Sequence, residues 1–107
     1  MVNFPDHWVI IEQLLDNKQS KKVLAGWYGG YYTSNSWKLS SGIVKVTKEN
    51  QNVFHFDNVS GSHYVCKKDE YGMTDLMSGA LTFYEKEIVK AGGKIRILPL
   101  DDVEALV

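Results

Sequence analysis

The sequence predicts an α+β fold built on a mainly antiparallel sheet. Three observations predict it: short apolar stretches separated by turn residues through the middle of the chain, one long stretch of helical periodicity near its end, and close spacing of the extended segments. Segments a few residues apart pair antiparallel, because a parallel connection takes a dozen or more residues. With 107 residues, 44% hydrophobic and 23% charged, the chain reads as one α+β domain over 1–107. The expected architecture is a meander of four to five strands, with an N-terminal helix and one long C-terminal helix packed on one face.

Residues 6–16 read as the first helix. Asp6 follows Pro5 as a cap, and Trp8, Ile11 and Leu15 recur at helical spacing, with Val9, Ile10 and Leu14 widening the apolar surface. The polar run 17–22 breaks that pattern. Val23 to Tyr28 then reads as a strand closed by Gly29-Gly30, and Tyr31-Tyr32 as the start of another before the turn residues 33–36. From Trp37 to Lys48 the chain reads as extended with a fault. Trp37 and Leu39 place the apolar side on odd positions and Val44 and Val46 on even ones, so a bulge or bend is expected at Gly42. Val53 to Phe56 and Ser62 to Lys67 are two further strands. Thr74 caps a helix running to Ala91, with Met73, Met77, Ala80, Leu81, Tyr84, Ile88 and Ala91 as its apolar stripe and Gly92-Gly93 as its stop. A last strand spans residues 94–98, and Asp101 opens a helical turn in the acidic tail.

Composition excludes some classes. The longest uninterrupted apolar run, Trp8 to Ile11, is far short of the ~20 residues of a membrane-spanning helix. Asp6, Glu12 and Asp16 sit where a signal peptide tolerates no acid. The single cysteine, Cys66, permits no internal disulfide, which suits a cytoplasmic protein.

Few residues form a reactive pattern. Cys66, His55 and His63 could make a thiol enzyme, but His63 and Cys66 differ by three positions, which sends their side chains to opposite faces of a strand. A buried structural cysteine is the plainer reading. The same three residues, with His7 or an acid as fourth ligand, lack the paired spacing of zinc sites, so no metal and no cofactor is expected. Asp69-Glu70 and Asp101-Asp102 read as solvated surface. No phosphate loop or dinucleotide fingerprint occurs.

Charge is uneven although the net value is only −1. Between Asp16 and Glu49 there is no acid, and six lysines fall there, among them Lys38, Lys45 and Lys48. Trp27, Tyr28, Tyr31, Tyr32 and Trp37 lie among them. Aromatic residues at such density serve protein–protein hot spots, and beside lysines they also stack the bases of single-stranded nucleic acid. The low net charge and the single arginine, Arg96, favour a protein partner. These eight residues are the expected binding surface of a non-enzymatic protein, acting as monomer or homodimer. Nucleic-acid binding is the alternative, and thiol chemistry at Cys66 a second one.

Three pieces carry a resemblance: residues 37–43 (Trp-Lys-Leu-Ser-Ser-Gly-Ile), residues 60–68 from Ser60-Gly61-Ser62 through Tyr64 and Cys66, and Tyr71-Gly72-Met73. Together they resemble a group of small uncharacterised proteins from tailed phages and prophages. The likeness spans residues 37–73. It implies a compact accessory protein aimed at a host factor, and no catalytic residues.

Overall fold

A computed structural model of the chain describes residues 1–30 and 34–107. It is an α+β structure of mostly antiparallel strands, arranged as two four-stranded sheets with a long helix on the second. The outer sheet has the order β1 (Val2–Asn3), β7 (His63–Lys67), β6 (Val53–Asn58), β5 (Ile43–Asn50). The middle sheet has the order β4 (Ser36–Leu39), β3 (Lys18–Trp27), β2 (His7–Leu15), β8 (Lys94–Ile97). Among the described strands only β1 with β7 pairs parallel. α1 (Asp75–Lys90) covers the far face of the middle sheet, and α2 (Leu100–Glu104) places Val103 in the core between the sheets.

The N-terminal segment expected as a helix is β2. Its apolar run is buried on both faces, which erases the alternation that marks a half-buried strand. Trp8 and Ile10 join Val23, Ala25, Phe54, Phe56, Tyr64 and Cys66 between the sheets. Val9 and Ile11 join Leu24 and Met77 under the helix. Asp6 caps nothing; its backbone N–H donates to the Gly26 carbonyl at 2.9 Å, and its carboxylate accepts from the Tyr28 N–H at 2.8 Å. The polar stretch expected to interrupt the chain is the hairpin. Asp16 and Asn17 both take positive φ, 53° and 61°, the type I′ geometry whose twist suits a two-residue loop. Leu15 pairs with Lys18 across it.

The phase fault between Trp37 and Lys48 has two sources. β4 belongs to the middle sheet and β5 to the outer one, so the chain changes sheets through Ser40–Gly42, where Gly42 has φ +155°. A bulge between Ile43 and Lys45 then lets Ile43 and Val46 both face the core while Val44 is 64% exposed. Ser40 anchors the crossing: its buried hydroxyl accepts from the Val23 N–H at 2.8 Å.

α1 follows its sequence signature closely. Thr74 is the N-cap, its hydroxyl accepting from the Met77 N–H at 3.2 Å. Its C-terminus is a Schellman turn: Gly92, at φ +89°, donates to the Val89 carbonyl, and Gly93 to the Ile88 carbonyl. Met77 and Ile88 are its buried residues, while Phe83 of the same helix is 69% exposed. Tyr71 ties the connection down, its hydroxyl donating to the Leu98 carbonyl at 2.5 Å and accepting from the Ile10 N–H at 3.2 Å.

Candidate functional site

Two surface features stand out, and both lie where a strand or sheet is left uncovered. The first is a groove of about 430 Å³ at one rim of the sandwich, lined by Val2, Asn3, Phe4, Trp27, Trp37 and Lys38 with Ser36. β1 and β4, which flank it, are terminal strands of their sheets, each paired on one side only among the described residues. Phe4 is 65% exposed and Trp37 44%. Trp27 is half-buried, and its indole N–H donates to the Phe4 carbonyl at 2.9 Å. Beside the groove the exposed Tyr28 ring stands edge-on to His7, centroids 5.5 Å apart.

The expected surface residues therefore divide. Trp27, Trp37 and Lys38 come together here, and Tyr28 follows directly after the end of β3. Tyr31 and Tyr32 lie outside the described residues. Lys45 is exposed on the outer sheet opposite Asp57, and Lys48 reaches the other way, 3.0 Å from the Glu104 carboxylate and over the Phe54 ring. Val2 and Phe4 were invisible as binding residues in the sequence. They enter because β1 pairs with a strand some sixty residues later (Val2 with His63), a partnership with no local signal.

The second feature is a chain of four side chains on the solvent-facing side of the outer sheet. Glu49 Oε1 lies 3.1 Å from His55 Nε2, His55 Nδ1 lies 2.8 Å from His63 Nε2, and His63 Nδ1 lies 2.5 Å from Asp57 Oδ1. Strand alternation builds it. Phe54, Phe56, Tyr64 and Cys66 point inward, which turns His55, Asp57 and His63 outward. The hairpin register pairs Asp57 with His63 and His55 with Val65, so the two imidazoles are diagonal neighbours. Alternation was readable in the sequence; the register that joins His55 to His63 was not.

Hydrogen counting constrains this chain. Three hydrogen bonds in series need three protons, one in each. Two ionised carboxylates and two neutral imidazoles supply only two. With an N–H directed at each carboxylate, the central contact lacks a hydrogen, and one added cation, a proton or a metal ion, would complete it.

Cys66 faces the other way. It is fully buried between the sheets, neither His55 nor His63 shares its face, and burial pushes its thiol far above the ordinary range. That is a packed sulfur, without the exposure or histidine contact that thiol chemistry requires.

No protein-family model matches the chain, and neither a curated protein nor a solved structure matches it. Among the described residues no helix is long and apolar enough to cross a membrane.

Proposed function

We propose that this chain is a small non-enzymatic binding protein of the cytoplasm that holds an extended segment of a protein partner in the groove between β1 and β4. The observation that carries this reading is the placement of Phe4, Trp27 and Trp37 around a concavity between two sheet edges. An edge strand offers unpaired backbone groups to an added strand, and aromatic side chains beside it supply the anchors. Burying Phe4 and Trp37 would desolvate large apolar surfaces that are costly to leave in water. The likeness of residues 37–73 to phage and prophage accessory proteins adds a partner class, a host factor.

The test is selection from a random-peptide library on the immobilised chain, repeated on a Phe4→Ser/Trp37→Ser variant. Enriched peptides should bind the parent at least about tenfold more tightly than the variant, the loss of a hot-spot anchor. Peptides that bind both equally, or no enrichment, would refute the groove. A parallel titration with mixed-sequence oligonucleotides that gives binding steeply weakened by salt would move the assignment to nucleic acid.

A further inference from the structure

The groove makes no use of the Glu49–His55–His63–Asp57 chain on the opposite side of β7. We infer that His55 Nδ1 and His63 Nε2 form a two-imidazole site for a divalent transition-metal ion of the zinc, copper and nickel class. Each ring has a carboxylate beside its second nitrogen, the partner that a metal-ligating histidine takes. Histidines that bind metal direct their second N–H to a carboxylate or carbonyl, which fixes the tautomer and raises the basicity of the ligating nitrogen. Glu49 is placed to accept from His55 and Asp57 from His63. The remaining nitrogens, His55 Nδ1 and His63 Nε2, stand 2.8 Å apart, at hydrogen-bond distance, so a metal would take the place of the proton they share.

The spacing is close to that of a shared metal. With metal–nitrogen bonds of about 2.0–2.1 Å, two ligands at a right angle stand about 2.9 Å apart and tetrahedral ones about 3.3 Å. The rings must open by a few tenths of an ångström and turn so that the lone pairs converge. Their side chains are 22% and 27% exposed, which leaves that movement and entry from solvent available. Charge favours a dication over a proton: it balances the two flanking carboxylates, whereas one proton leaves the group at −1. Other charges on this face are Lys45, opposite Asp57, and Lys67, which stands 3.7 Å from Glu70. Imidazole suits zinc, copper and nickel. Among the described residues no third His, Cys, Asp or Glu completes a ligand set, so water fills the other positions. Cys66, the residue a sequence-based zinc site would have enlisted, is on the buried face.

The experiment is titration of the purified, chelator-treated chain with Zn²⁺ alone and with Ni²⁺ alone at neutral pH, followed by calorimetry and by imidazole ¹H–¹⁵N spectra. One equivalent of metal should bind, moving His55 Nδ1 and His63 Nε2 together and leaving His7 in place. His55→Gln and His63→Gln should each abolish saturable binding. Asp57→Asn keeps an acceptor for the His63 N–H but removes its charge, and should weaken binding by about 10- to 100-fold while the metal-free chain keeps its melting temperature. Absence of saturable binding overturns the site. So does undiminished binding by a folded His55→Gln/His63→Gln variant, or a pair whose resonances answer to pH and not to metal.

Discussion

β2 and β6 are both interior strands of four-stranded sheets, yet they are built on different rules. In β2 four successive residues, Trp8 to Ile11, are buried, because one face meets the outer sheet and the other meets α1. In β6 burial alternates strictly: Phe54, Phe56 and Asn58 face in, while Val53, His55 and Asp57 are half-exposed. A strand covered on both sides has no position free for polar chemistry. A strand covered on one side must place every second residue in contact with water, and there the imidazoles and carboxylates gather. The middle sheet is scaffold by this logic, and the margins of the molecule (rim groove and outer face) are where binding groups can stand.

The largest effect should come from breaking the doubly covered strand. Trp8 packs against the Phe54, Phe56 and Tyr71 rings and donates its indole N–H to the Lys67 carbonyl at 2.6 Å, so it joins both sheets. Trp8→Ala should cost about 3–5 kcal/mol, the range for deleting a large buried aromatic. Thr47→Ala, on the exposed side of β5 opposite His55, should change stability by no more than about 0.5 kcal/mol. Urea unfolding of the two variants measures the contrast. A Trp8 variant as mild as the Thr47 variant would mean that β2 is not the hub between layers.

This difference also governs what the sequence revealed. α1 was legible to within a residue, since Thr74, the apolar stripe and Gly92-Gly93 are local signals that act within one helix. β6 and β7 were legible because one-sided burial preserves their alternation. β2 resembles a helix in sequence because its faces are both apolar, so that Trp8, Ile11 and Leu15 fit the helical spacing by coincidence. The Asp16-Asn17 turn, which would have corrected it, lacks the glycine that usually advertises such a hairpin. At the candidate sites, Trp27, Trp37 and Lys38 are expected from residue type alone. Phe4 and the His55–His63 pair depend on which strands become neighbours, and that information lies in packing between distant segments.

A smaller test concerns how closely the helix covers the middle sheet. Gly26 of β3 pairs with Trp37 and lies under the start of α1; a Cβ built there would stand 2.4 Å from Met77 Sδ and 2.7 Å from its Cγ. Met77 is itself fully buried, so it has little room to withdraw. Gly26→Ala should therefore cost about 1–3 kcal/mol by overpacking. Gly79→Ala provides the counterpart, as a Cβ there meets nothing within 4 Å, and alanine favours the helix. It should stabilise by up to about 1 kcal/mol. If both variants melt alike, the helix rides looser on the sheet than its contacts indicate.

The smallest effect lies where the double cover of the middle sheet runs out. Beyond Ile10 the inward row of β2 continues to Glu12, which stands between Arg96 Nε of β8 at 3.0 Å and Lys21 Nζ of β3 at 3.6 Å. The hydrogen bond from Arg96 holds the Glu12 carboxyl below its usual range, outweighing the burial that would raise it. A carboxylate depressed on folding contributes stability above the unfolded value, near 4.5, and loses it as pH falls through the lower folded value. Because Arg96 is more than half exposed, screening limits the contribution to about 0.5 kcal/mol. Glu12→Gln should thus melt slightly below the parent at neutral pH, and the gap should close on acidification and in high salt. A gap that persisted below the folded carboxyl's titration would assign the loss to packing of the side chain, and would extend the fully buried scaffold one residue further along β2 than the ion pairs imply.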